Sequence, residues 1–205
     1  MIVPNHENLV YFAFAKSASE WMRRELKLKK HLFAHKDYYN WETCSLDYCH
    51  CRPQRYITSK NIGDKHTLFT IIRNPYPRLV SCWAYGKKRK QLYGYETFTE
   101  FITKIYENKN NLTVLPTCWM YLPFEQYFEN VLDKLKVFKL ENIDECINYL
   151  DETHNIQVKN YICNQSEHEH YSTYYTPDLI NKVQEVYAWE IEHFNYKFER
   201  QTNNI

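Results

Sequence analysis

Apolar residues are distributed along the chain in two distinct patterns. Residues 9–15 (LVYFAFA) are continuously apolar, rich in aromatic side chains and bounded by polar ones, which predicts a strand buried on both faces. Residues 66–73 (HTLFTIIR) predict a second such strand, ended at Asn74-Pro75-Tyr76-Pro77, where two prolines cannot continue a ladder. At 135–140 (LKVFKL) apolar and polar residues alternate as in a half-buried strand, and shorter strands are expected at 31–34 and 56–58. Helical spacing takes over elsewhere. Residues 20–28 predict a helix capped by Ser17 or Ser19, and 78–85 a helix with Pro77 near its first turn. Residues 97–107 carry apolar side chains at 98, 101, 102 and 105, and 142–152 turn Ile143, Ile147 and Leu150 inward. Thr176-Pro177-Asp178 opens one long helix to about Phe194. Strand and helix alternate throughout, so the expected fold is α/β: a parallel sheet flanked by helices in a single domain over 1–205.

Composition narrows the function. Lys plus Arg (26) nearly balances Asp plus Glu (25), which argues against a nucleic-acid partner held by bulk positive charge. No window approaches the roughly 18 uncharged apolar residues of a transmembrane segment, and the N-terminus shows no signal-peptide pattern. The only glycines are Gly63, Gly86 and Gly94, so a dinucleotide fingerprint and a Walker A loop are excluded, and with them a nucleotide kinase of that type. Seven cysteines are scattered, unlike a disulfide framework. Cys44, Cys49, His50 and Cys51 cluster, but without paired C-x2-C knuckles the expectation is reduced thiols and no metal.

In a parallel α/β sheet, ligands bind outside the carboxyl ends of the strands. Two segments fall there. At 16–19, a lysine, two hydroxyls and the backbone N–H groups of a strand-to-helix turn suit a phosphate or sulfate without glycine; an ordinary capped helix reads the same way. At 73–81, Arg73 leaves a buried strand and Ser81 follows in the next helix, an arginine fork and a hydroxyl for a second anion. Two such segments imply a ligand with anionic groups about a nucleoside apart.

These residues resemble the sulfotransferases that use 3′-phosphoadenosine 5′-phosphosulfate (PAPS), specifically the Golgi-type carbohydrate enzymes of the chondroitin and dermatan group. The 5′-phosphosulfate loop of that family, P-K-x-x-x-[ST]-N-W-[KR]-R, is similar to Ala15-Lys16-Ser17-Ala18-Ser19-Glu20-Trp21-Met22-Arg23. Its 3′-phosphate motif, R-x-P-[FY]-x-R-L-[VL]-S, matches RNPYPRLVS at 73–81 almost letter for letter. Cys118-Trp119 with Lys139-Leu140-Glu141, and Val186-Tyr187 to Phe194-Asn195-Tyr196, resemble two further family segments, so the likeness covers about 9–198. There are departures. Ala15 replaces a proline, Glu20 a hydroxyl residue, Cys118 the histidine of an H-W pair, and Glu190 an aspartate.

The resemblance implies a P-loop-like sulfotransferase fold that moves a sulfuryl group from PAPS, without a metal, to a hydroxyl of a carbohydrate. Lys16 would neutralise the leaving-group oxygen, and residues Ser17, Ala18, Ser19, Glu20 and Trp21 would hold the 5′-phosphosulfate. Arg73 and Ser81 would hold the 3′-phosphate. His35 is the first candidate for the acceptor base, with Asp37, Glu42 and His66 as alternatives. Basic residues at 87–90 would meet an anionic sugar chain, or form a solvated charged face. With no anchor in the chain, the expected version is cytoplasmic and stand-alone, of cellular or viral origin. The alternative reading is a catalytically inactive domain of the same fold that binds nucleotide or glycan.

Overall fold

The computed structural model describes residues 1–28, 53–89, 95–161 and 168–201, and in it the two continuous apolar runs lie side by side as strands. The elements in chain order are β1 (Ile2–Val3), β2 (His6–Phe12), α1 (Ser19–Glu25), α2 (Pro53–Lys60), β3 (Thr67–Ile72), α3 (Pro75–Lys88), α4 (Phe98–Glu107), α5 (Phe124–Tyr127), β4 (Leu135–Lys139), α6 (Ile143–His154), α7 (Pro177–Val186) and α8 (Ala188–His193). They fall into two compact units, Met1–Arg73 with Gln126–Gln165, and Asn74–Glu125 with Ser166–Ile205.

The first unit holds a four-stranded sheet in the order β1-β2-β3-β4. β2, β3 and β4 are parallel, with Phe12 beside Thr70 and Thr70 beside Val137. The Thr70 hydroxyl donates to the Phe12 carbonyl at 2.7 Å, which satisfies a buried polar side chain within the sheet. β1 is a short antiparallel edge not foreseen in the sequence. Alternate residues of the central strands face opposite layers, which is why their sequences run apolar without a break. On one face Leu9, Tyr11, Ala13, Phe69, Ile71 and Phe138 pack with Trp21, Met22 and Leu26 of the α1 segment and Cys146 and Leu150 of α6. On the other, Phe12 meets Tyr56 and Phe128, and Phe14 meets Tyr127 and Phe128. Each fully buried side chain of this kind contributes roughly 1.5–3 kcal/mol. α1 is also tied down by its ends: Trp21 Nε1 donates to the Lys159 carbonyl at 2.9 Å, and the Lys159 N–H donates to Glu25 at 2.8 Å.

The second unit is helical. α3 begins where the sequence stops the strand: Asn74 accepts from the Tyr76 N–H at 3.1 Å, and proline fills the first turn. α4 starts with a capping box between Thr97 and Glu100 and buries Phe98, Phe101, Ile102 and Ile105. α7 is capped by Thr176, whose hydroxyl accepts from the Leu179 N–H at 3.3 Å.

Three expected elements differ. The 56–58 stretch is helix, inside α2: β-branched residues there read as a strand, yet Pro53 at the start and polar helix formers around Tyr56 make an amphipathic turn with one buried aromatic face. The long helix to Phe194 is two helices broken at Tyr187 (φ −111°, ψ 26°), whose hydroxyl donates to the Tyr121 carbonyl at 2.6 Å. Finally, neither Ser17 nor Ser19 caps α1; Ala18 occupies that position with no side-chain bond. The expected strand at 31–34 lies outside the described residues.

Candidate functional site

β2 ends at Phe12 and its extension reaches Lys16; β3, its parallel neighbour, ends at Ile72 and is followed by Arg73. Lys16 and Arg73 therefore leave the same edge of the sheet from adjacent strands. This is the edge at which α/β proteins bind ligands. His66, considered as a base, precedes β3 and bonds Gly63 at the opposite end of that strand, away from this edge.

The loop at 16–19 has an unusual backbone. Lys16 (φ 60°) and Ala18 (φ 57°) both take left-handed conformations that residues other than glycine rarely adopt, while Ser17 and Ser19 do not. Alternating hands along consecutive residues turn successive N–H groups toward one side, forming the concave nest that suits an anion. Left-handed side-chain-bearing residues cost of order 1–3 kcal/mol each and cluster at binding sites. The Ala18 carbonyl accepts the first α1 bond from Met22 at 3.1 Å, so the strain lies in the turn just before the helix. Ser17 is fully buried, with its hydroxyl 3.5 Å from the Ala15 carbonyl, while Lys16, Ala18 and Ser19 are half-buried.

Glu20 stands where the resembled loop has a hydroxyl. Its two oxygens are shared between arginines: Arg24 Nε donates to Oε1 at 3.1 Å, and Arg23 bonds Oε2. Burial pushes this carboxyl up, but the bonds and charges of Arg23 and Arg24 outweigh burial and hold it below the usual carboxylate range. The carboxylate beside the loop is thereby neutralised, with one positive charge to spare. Trp21 is buried at 3% exposure and serves the core through its bond to Lys159.

The 73–81 motif divides between two jobs. Arg73 is half-buried at the strand end. Arg78 is fully buried in the second unit, with Nη2 donating to Glu190 at 2.6 Å, Nη1 to the Leu122 carbonyl at 3.3 Å, and its guanidinium over the Tyr187 ring at 5.3 Å. Ser81, one turn further along α3, is buried at 4% exposure. Arg78 and Glu190 stand in separate motifs of the resembled pattern, and their spacing in the chain carries no signal that they are partners. Glu190 is pushed up to about 7, first by burial and then by Glu125, against the pull of Arg78. Glu125 is raised as well, by its own burial.

Other sequence-predicted residues fall elsewhere. His35, Asp37, Glu42, and the cluster Cys44, Cys49, His50 and Cys51 lie outside the described residues. Cys82, Cys118 and Cys146 are buried free thiols. Among the described residues, no group of three or more His, Cys, Asp or Glu side chains is placed to hold a metal ion. None of the described helices is long and apolar enough to cross a membrane. At the basic end of α3, Lys87 donates to the Glu96 carbonyl at 3.2 Å and lies over Trp83, while Arg89 lies over Tyr85.

A mostly parallel sheet with helices on its faces defines an α/β protein, with a lysine loop and an arginine at neighbouring strand ends on the edge where such folds bind ligands. The chain belongs to the sulfotransferase family, whose model matches residues 1–197. That family consists of transferases that move a sulfuryl group. No curated protein and no solved structure matches the chain.

Proposed function

We propose that the protein transfers a sulfuryl group from PAPS to a hydroxyl of a carbohydrate, and that 1–205 act as one sulfotransferase domain, since the family match runs through both units. The observation that carries the donor reading is the strained loop at 16–19, whose backbone donors and Lys16 would suit an anion, with Arg73 leaving the adjacent strand. The residues present fit the donor: N–H groups of residues 17–19 and the half-buried Ser19 hydroxyl for the 5′-phosphosulfate, with Arg73 and Ser81, the first and last residues of one motif, for the 3′-phosphate.

PAPS supplies the sulfuryl group and a good leaving group, adenosine 3′,5′-bisphosphate. The acceptor oxygen forms a bond to sulfur as the bond from sulfur to the 5′-phosphate oxygen breaks, and the hydroxyl proton passes to His35. Negative charge grows on the leaving oxygen, where Lys16 meets it. Catalysis of this kind is positioning and electrostatics, as in phosphoryl transfer. The carbohydrate acceptor rests on the resemblance of the 73–81 motif to the Golgi carbohydrate group. A binding domain without catalysis is the second reading, favoured by Cys118, a buried thiol where the resembled enzymes carry a histidine.

Two measurements test these assignments. Calorimetry should show adenosine 3′,5′-bisphosphate binding about ten to 100 times tighter than 5′-AMP, because a charge-assisted contact to the extra phosphate is worth roughly 1.5–3 kcal/mol. Equal affinities would remove the two-phosphate reading. For the base, His35→Gln should abolish the acidic limb of the pH–rate profile and leave bisphosphate affinity unchanged. A retained limb would return the role to Asp37 or Glu42.

A further inference from the structure

One buried guanidinium faces two carboxyls in the second unit. Arg78 and Glu190 are both fully buried and joined at 2.6 Å, and Glu125 interacts electrostatically with both. Oε2 of Glu190 and Oε2 of Glu125 are each buried with no hydrogen-bond partner among the described residues. With both carboxyls ionised the cluster would carry a net negative charge and two orphaned acceptors out of water, a costly state. A single proton removes the excess charge and converts one acceptor into a donor. Tyr187 at the α7–α8 junction, which interacts electrostatically with Glu190, supplies no compensating charge, because burial pushes its hydroxyl well above its ordinary range. The Tyr187 and Tyr121 hydroxyls already donate to the Tyr121 and Pro116 carbonyls.

We propose that Arg78, Glu190 and Glu125 hold one proton between the two carboxyls at neutral pH, and that this neutral cluster is a positioning device for Ser81, which sits one turn from Arg78 on the same face of α3. The functional half rests on the reading of Ser81 as a 3′-phosphate ligand. Burial and the second carboxyl keep the proton on Glu190 at a pH where an unfolded glutamate has lost it. The sign follows. The folded chain binds more protons than the unfolded one, so this contribution to stability is full below the unfolded glutamate range and is lost as pH rises through about 7. Loss of the proton leaves an unbalanced buried carboxylate against α3, and the seat of Ser81 shifts with it.

The test uses the full chain and three readouts. Thermal melts from pH 5.5 to 8.5 should show the wild-type Tm falling with pH, and Glu125→Gln should flatten that slope, because a single remaining carboxylate balances Arg78 without a proton. Infrared difference spectra at neutral pH should contain a protonated carboxyl stretch that Glu125→Gln removes. Calorimetry should show the Kd for adenosine 3′,5′-bisphosphate rising with pH by up to about tenfold per unit, the limit for one linked proton, with that for 5′-AMP flat. A variant slope equal to wild type, or no carboxyl stretch in the wild type, would overturn the shared proton. A Tm slope with a pH-independent preference for the bisphosphate would overturn the positioning role. Equal affinities for the two nucleotides at every pH, with the stretch present, would sink the Ser81 reading and the positioning role while the shared proton stands.

Discussion

Lys16→Ala is expected to lower turnover at saturating PAPS by about 100- to 1,000-fold, the range found when one donor to a developing oxyanion is removed. Lys16 sits in a left-handed turn at the end of the β2 extension, half-buried at the ligand edge of the sheet. Charge on the bridging oxygen is small in bound donor and large as the S–O bond breaks. On the proposed reading the lysine would therefore act on kcat more than on KM. In the proposed complex Arg73 would meet a phosphate whose charge is the same before and during transfer, so Arg73→Ala should raise KM and spare kcat. A Lys16→Ala enzyme with intact kcat and a raised KM would remove the lysine from the chemistry. Steady-state kinetics on both variants separates the outcomes.

The second large effect is on folding. Arg78→Ala should cost about 3–5 kcal/mol, because it leaves the fully buried Glu190 without its guanidinium. In a chain of this size that lowers Tm by roughly 6–20 °C. Replacing the whole cluster, as in Arg78→Met with Glu190→Leu and Glu125→Gln, should recover much of the loss, since no buried charge is then left alone. An Arg78→Ala protein that melts like wild type would show that the guanidinium carries no structural role, and that the motif's second arginine is kept for something else.

Much of this was legible in the sequence, for reasons visible residue by residue. β2 and β3 announce themselves because strands buried on both faces need unbroken apolar runs, and Asn74-Pro75 marks the end of β3 as proline chemistry requires. Thr97 and Thr176 cap the helices that the pattern places after them. What the pattern missed was set by partners distant in the chain. The helix break at Tyr187 coincides with its hydroxyl bond to the Tyr121 carbonyl, and Arg78 pairs with a glutamate 112 positions away. The same holds in the site. Lys16 and Arg73 could be placed on one edge from strand order alone. The left-handed pair at Lys16 and Ala18 could not, because neither residue type signals that conformation. The pairs of Glu20 with Arg23 and Arg24, by contrast, follow the three- and four-residue spacing that brings helix side chains together.

The central claim is transfer from PAPS to sugar, and its most direct test is mass spectrometry of glycan acceptors after incubation with PAPS labelled in the sulfuryl group. The account predicts a glycan that gains one labelled sulfo group per modified hydroxyl, adenosine 3′,5′-bisphosphate released in equal amount, and product reduced about 100-fold or more with Lys16→Ala. Tight bisphosphate binding with no labelled product from any neutral or anionic glycan would contradict it, and would leave a nucleotide-binding domain in place of the enzyme.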